Sequence, residues 1–470
     1  MKKLSIILNL LLVFGCSNQT KFVPISTITI SGYLPNTKAK KISIGSGINF
    51  YHGSIASRNI YNDSVNFVFD LLKPEIVDIY SVGAFEISNK IYIKPGDSVV
   101  FEIVNGKPKF KGKNKVEHDF SNVVNQKKIF YPKYDGDLSN FLKKCDTIFS
   151  QKNKLLLDYS NINKVNKDFI AKFKDEYRAE YVFKLISPIV FNQTEDVNTL
   201  KKHILIDFDQ ELQRKDLLGS LYFKNNLKYY IRYYYNDFDG SFSKEQFDNE
   251  TTFINKNLQG KLKEYALASV IETYSKRLLP NTIDGLKDLI ENNNFTVESY
   301  RAEVQKVNIL LSKLNNKIPF VVGNIELKEL SDSSYPLQTI LDSNTKIKVI
   351  DFWASWCGPC IDEIKISDSF RKQLTERYGV QWIYISTDTE EVKWKNRAKE
   401  LSVFGLLKNQ YIIIDANKDN PIVKYFNLET IPHYTIFNQK GKMLLDNASR
   451  PSDSIFFERV IKQIYEAGKK

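Results

Sequence analysis

The sequence predicts a multidomain chain: an N-terminal antiparallel β sandwich, a middle α-helical domain and a C-terminal α/β fold with a mixed sheet. Three observations carry this. Short β-prone runs separated by Gly, Pro, Asn and Asp fill residues 22–114. Helical spacing of apolar residues takes over through residues 115–317. From residue 318 the pattern alternates strand and helix to the end. A chain of 470 residues has room for all three, and 42% hydrophobic and 13% aromatic content is ample for their cores.

Residues 1–16 read as a targeting segment rather than as part of a fold. Lys2 and Lys3 form a basic end, and Leu4 to Phe14 is an apolar run too short to span a bilayer. Val13-Phe14-Gly15-Cys16 resembles a bacterial lipoprotein cleavage site, although Phe14 stands where a small residue is usual. The resemblance implies that Cys16 becomes a lipidated N-terminus, with residues 17–21 as a tether. The chain would then be a periplasm-facing lipoprotein of the cell envelope, anchored in the outer membrane.

In the β-rich segment the runs are Ile28 to Ile30, Lys41 to Ile44, Val65 to Phe69, Ile76 to Tyr80, Ile91 to Ile93 and Val99 to Val104. They suggest a sandwich of about seven strands. The turn Pro95-Gly96-Asp97 and the closing Phe110-Lys111-Gly112 resemble a β-rich domain that precedes thioredoxin modules in some envelope lipoproteins. Lys107, Lys109, Lys111, Lys113 and Lys115 recur with a period of two, as on the solvated face of an edge strand. Contact with an anionic membrane is the alternative.

In the middle segment Phe169, Phe173, Tyr177 and Tyr181 follow an i, i+4 rhythm that Ser187-Pro188 should stop. Leu217 to Tyr235, Glu250 to Leu279 and Val297 to Leu314 are further helices. Tyr222, Tyr229, Tyr230, Tyr233, Tyr234 and Tyr235 read as core packing more readily than as a ligand groove. Residues 236–240 fail as a calcium loop, because Tyr235 and Gln246 would hold its two end positions. Further on, Ile347 to Trp353 is a buried strand, Ile361 to Tyr378 a helix, Val380 to Ser386 a strand, Glu390 to Leu401 a helix and Tyr411 to Asp415 a strand. A hairpin of Tyr434 to Phe437 and Met443 to Leu445 follows, then a helix from Ser452 to Glu466 with Ser452 as its N-cap.

The chemistry concentrates in Trp356-Cys357-Gly358-Pro359-Cys360, between the strand ending at Trp353 and the helix starting at Ile361. A Cys-x-x-Cys at a strand-to-helix junction is a dithiol/disulfide centre. Cys357 lies where free helix N–H groups and the dipole favour a thiolate. Cys360 is one turn along, close enough to close a disulfide. A zinc half-site would need a second ligand pair, and the four histidines, His52, His118, His203 and His433, are dispersed. No metal is expected.

The string Val349 to Cys360 resembles the thioredoxin superfamily, specifically the TlpA/ResA-like thiol:disulfide oxidoreductases, over residues 318–470. The resemblance implies that Cys357 is the nucleophile, exposed and with a pKa on the order of 7. Cys360 would be the buried resolving thiol, Pro359 would occupy the first helical turn and Trp356 would cover one side of the sulfurs. Asp351 would be a buried carboxylate that accepts the Cys360 proton, unless it points to solvent at the strand edge. Glu363 matches a Glu of TlpA-like sequences, or is a solvated first-turn residue. Ile431-Pro432 would be cis and face the disulfide, with the Ile431 backbone open to an extended substrate. His433 follows, most simply as a surface histidine. Lys365 replaces a proline frequent in the family, which predicts a straighter helix.

The Gly358-Pro359 dipeptide resembles reducing thioredoxins, with potentials on the order of −270 mV. The chain is thus expected to reduce disulfide-bearing envelope proteins and to be recharged by a membrane or periplasmic dithiol donor. It carries no nucleotide or flavin fingerprint, so no cofactor is expected. The alternative is a binding or scaffold lipoprotein in which this module is accessory. The net charge of +12 comes from scattered lysines, which argues against nucleic acid. Cys145, left unpaired, reads as an inert thiol on an apolar helix face.

Overall fold

A computed structural model describes residues 26–47, 50, 53–82, 88–105, 107–191, 193, 208, 210–235, 242–277 and 279–468. The targeting segment, Cys16, the tether, the loop 236–240 and the side chains of Tyr234 and Tyr235 lie outside them. The chain divides into two compact units, one of residues 1–46, 53–130 and 150–175, the other of residues 47–52, 131–149 and 176–470.

The first unit holds eight described strands rather than about seven: β1 (Thr27–Tyr33), β2 (Lys41–Ser46), β3 (Gly53–Asn59), β4 (Ser64–Asp70), β5 (Glu75–Val82), β6 (Ser88–Ile93), β7 (Ser98–Val104) and β8 (Lys107–Lys111). They form two four-stranded sheets, ordered β4-β1-β7-β8 and β3-β2-β5-β6. Pairing is antiparallel except between β1 and β7, which run parallel. The β3 strand has few β-formers and is specified by its partner β2. Alternation fixes the interior: Ile28 and Ile30, Ile42 and Ile44, Val77 and Ile79, and Val99 and Phe101 are all buried. Edge strand β8 exposes Lys107, Lys109 and Lys111 and buries Pro108 and Phe110. Phe120, in helix Lys115–Lys127, meets Phe169 and Phe173 edge-on at 5.4 and 5.0 Å, so this part of the aromatic stripe is core.

Helix Lys167–Val190 runs through Pro188 instead of stopping at it. The proline falls in the last turn, where only a few residues remain to be disturbed. In the second unit, the expected helix over Leu217 to Tyr235 divides into a 3-10 turn Lys215–Gly219, helix Leu221–Tyr229 and a π segment Tyr230–Tyr235. Ser220 separates the first two and its Oγ caps the Phe223 N–H at 3.3 Å. The expected Glu250 to Leu279 helix is two helices, Lys244–Asn257 and Gly260–Arg277, broken where Gly260 takes φ +53°. Helices Ile283–Glu291 and Glu298–Lys313 follow. Tyr230 is buried, and Tyr222, Tyr229 and Tyr233 pack against the core.

The C-terminal sheet has seven strands: β9 (Glu326–Glu329), β10 (Ser334–Pro336), β11 (Ile347–Trp353), β12 (Val380–Ser386), β13 (Gln410–Ile413), β14 (His433–Asn438) and β15 (Met443–Ala448). Their order is β10-β9-β13-β12-β11-β14-β15. Strands β11, β12 and β13 are parallel, while β9, β14 and β15 join antiparallel. Every residue of this inner strand, β11, is buried, the apolar ones together with Lys348 and Asp351. The stretch after the Cys-x-x-Cys is not one helix. It breaks at Ser367 into Gly358–Ile366 and Asp368–Tyr378. There is no proline at the break; the Ser367 hydroxyl donates back to the Glu363 carbonyl at 2.6 Å, beside the Ser367 N–H at 3.0 Å, and such back-bonding bends helices. Among the described residues no helix is long and apolar enough to cross a membrane.

Candidate functional site

Strand β11, held between β12 and β14, delivers the chain to the loop before the cysteines. That loop is pinned by a buried acid. Asp388 accepts the Ser355 N–H at 2.8 Å, the Ser355 hydroxyl at 2.6 Å and the Ser386 hydroxyl at 2.6 Å. Cys357 is the N-cap of helix Gly358–Ile366, with Pro359 in the first turn, and its Sγ accepts the Cys360 N–H at 3.2 Å. Cys357 and Cys360 are joined by a disulfide.

The openness of the site departs from the sequence reading. Cys357 is only 4% exposed, whereas Trp356 is 69% exposed. The cause is the loop opposite: the Ile431-Pro432 bond is cis, and the Ile431 carbonyl oxygen lies 3.8 Å from Cys357 Sγ. That loop closes over the Cys357 side of the disulfide. Gly358 and Pro359 are exposed beside it, and Cys360 is fully buried.

Asp351 is 1% exposed, not at a solvent-facing strand edge. In register it faces Tyr384 of β12 and Tyr434 of β14. Tyr434 hydrogen-bonds its carboxyl, while Oδ1 has no hydrogen-bond partner. Burial pushes the carboxyl up to about 7, Arg371 and the Tyr434 bond oppose this, and Glu363 adds to it. Asp351 therefore lies on the sheet side covered by the active-site helix, where Glu363 stands one turn beyond Cys360. Burial likewise raises the Tyr434 hydroxyl, reinforced by Asp351.

Glu363 is buried as well, which removes the solvated first-turn reading. Its carboxylate accepts the Ser452 N–H at 2.7 Å and the Ser452 hydroxyl at 2.8 Å. Ser452 is thus committed to Glu363 and does not cap the last helix, Ser454–Ala467, which starts after Asp453. His433 is not a surface histidine. It is 6% exposed, with Nε2 2.8 Å from Asp446 Oδ1, and Thr435 and Lys313 bond the same carboxylate at 3.2 and 3.4 Å.

The description "Thioredoxin-like" fits a family model that matches residues 344–443. The C-terminal region is a thioredoxin-like domain. The chain is 22% identical over 125 residues to the thiol-disulfide oxidoreductase ResA of Bacillus thuringiensis subsp. konkukian, covering 27% of this chain and 63% of that one. It is 23% identical over 131 residues to the thioredoxin-like protein HCF164 of Oryza sativa subsp. japonica, covering 25% and 48%. A solved thiol:disulfide interchange protein from Bacteroides sp. aligns at 20% identity and a TM-score of 0.25, covering 29% of this chain and 86% of that one. The chain spans about half the length of the first curated relatives it matches.

Within the thioredoxin-like domain, sequence reasoning missed Arg371, Asp388 and Asp446. Arg371 left a trace, since it shares the buried stripe of its helix with Leu374. The two acids left none, as each is recognised only through partners on other strands or loops. Among the described residues no group of His, Cys, Asp and Glu is arranged to hold a metal ion.

Proposed function

We propose that this protein is a lipid-anchored cell-envelope thiol:disulfide oxidoreductase that reduces protein disulfides. The observation that supports it is the Cys357–Cys360 disulfide at a helix N-terminus, against the Ile431-Pro432 loop, with a buried carboxyl at Asp351. In the reduced form the Cys357 thiolate attacks a client disulfide. One client sulfur leaves as a thiolate and takes a proton, and a mixed disulfide forms. Asp351 then accepts the Cys360 proton. The Cys360 sulfur attacks Cys357 Sγ, the mixed disulfide breaks, and the second client sulfur leaves as a thiol. Two electrons pass to the client and the Cys357–Cys360 bond is restored. A dithiol donor in the membrane or periplasm reverses this. Trp356, Gly358 and Pro359 would meet the client, whose extended segment would pair with the Ile431 backbone.

The thioredoxin-like domain spans residues 318–470 in this proposal, carried on a helical domain (115–317) and a β-rich domain (22–114) and tethered through Cys16. Insulin-disulfide reduction with dithiothreitol tests the activity. Turnover no faster than that of a Cys357→Ser/Cys360→Ser control would refute it.

A further inference from the structure

The buried side of the thioredoxin-like domain contains a cation without an acid against it. Arg371, on helix Asp368–Tyr378, is 3% exposed. Neutral groups hold it. One guanidinium nitrogen donates to the Tyr384 hydroxyl, the other to the Ile364 carbonyl at 2.7 Å and the Phe404 carbonyl at 3.4 Å. The guanidinium lies 5.7 Å from the Trp382 ring and 5.5 Å from the Tyr384 ring. Among the described residues its Nε has no hydrogen-bond partner, and no acid pairs with it within 4.0 Å. Burying a charge without a counter-ion is unfavourable unless something else gains by it.

What gains is next to it. Tyr384 stands opposite Asp351 in the β11–β12 register, so the tyrosine that anchors the guanidinium is a sheet neighbour of the carboxyl. Ile364, whose carbonyl fixes the other nitrogen, belongs to the helix that carries Cys360. Among the described residues the groups that act on Asp351 are Tyr384 from β12, Tyr434 from β14, Glu363 from the active-site helix and Arg371 from the helix after it. Asp368 acts on Tyr384 from the same helix as Arg371. Glu363 is occupied by Ser452, and both tyrosines are neutral. Arg371 is the one cation of the set.

We infer that Arg371 is a positioning residue for the resolving step: clamped by Tyr384 and Ile364, its guanidinium sets the field in which Asp351 takes the Cys360 proton. This rests on the proposed role of Asp351. The proton moves from Cys360 Sγ to the Asp351 carboxylate, and Arg371 neither gives nor takes one. Removing the positive charge makes the ionised carboxyl harder to form, so the step needs a higher pH.

The experiment mixes reduced full-length protein with dithiobis(nitrobenzoate) and follows released thionitrobenzoate by stopped flow. The second, concentration-independent phase is the attack of Cys360 on the mixed disulfide at Cys357. Its pH profile is measured for the parent, Arg371→Gln, Arg371→Lys, Tyr384→Phe and Asp351→Asn. Arg371→Gln should move the acid midpoint up by about one pH unit and slow the phase about fivefold at pH 7. Arg371→Lys, which keeps the charge, should lie nearer the parent. Tyr384→Phe, which unclamps the guanidinium, should move the midpoint the same way by less. In an Asp351→Asn background Arg371→Gln should add nothing. An unchanged midpoint in folded Arg371→Gln overturns the inference. Should that variant not fold, an unchanged midpoint in Tyr384→Phe does the same. An Asp351→Asn profile identical to the parent would instead sink the Asp351 role itself.

Discussion

Replacing Asp351 with Asn should stabilise the protein in alkali and destabilise it in acid. The carboxyl has an ordinary value of 3.8, and burial holds it at about 7 in the folded chain. A raised carboxyl makes the folded state bind more protons than the unfolded state between those two values. Stability therefore falls as pH rises through that window and levels off above it. Integrated over the shift, the loss at pH 8 is about 4 kcal/mol. Asparagine escapes it but brings an amide NH2 into a place where Oδ1 already lacks a partner, at about 1–3 kcal/mol. The net gain at pH 8 should be about 2 kcal/mol, and at pH 4 the sign should reverse. The assay is favourable, because all four tryptophans, Trp353, Trp356, Trp382 and Trp394, lie in the C-terminal region. Denaturant unfolding followed by tryptophan fluorescence thus reports this region alone. A variant less stable than the parent at both pH values would refute the argument. The same variant should resolve mixed disulfides more slowly, so stability and rate would move in opposite directions.

Further outcomes follow from single contacts. Cys360→Ala should accumulate mixed disulfides with envelope proteins through Cys357, seen as dithiothreitol-sensitive bands that Cys357→Ser lacks. Asp446→Ala strips the carboxylate from His433, Thr435 and Lys313 together and should cost about 3 kcal/mol in the same fluorescence assay; a loss below about 1 kcal/mol would contradict it. Cys145 is 0% exposed and burial pushes its thiol up to about 12. Its peptide should resist iodoacetamide in the native protein and label fully in denaturant.

How much of this was readable in the sequence depended on how local the cause was. Strand β12 came out with its observed ends, because Val380 to Ser386 is an uninterrupted β-prone run closed off by Gly379. The cysteine pair and the Ile431-Pro432 loop were legible because short-range motifs encode them. Strand β3 was not, since its polar residues become a strand only beside β2. The break at Ser367 goes with a hydroxyl that back-bonds the Glu363 carbonyl, a contact no periodicity signals. His433 looked superficial because the acid that buries it lies thirteen residues away on the next strand. Glu363 could be read either way until Ser452, 89 residues on, supplied its partner.

That last pairing bears on how the protein is made. The Cys-x-x-Cys emerges from the ribosome well before Ser452, and until then the carboxylate of Glu363 has no donor to meet. The helix that carries the two thiols can be synthesised before the segment that holds its Glu363 carboxylate. A chain that ended before Ser452 would keep its cysteines but lose the two donors that hold Glu363.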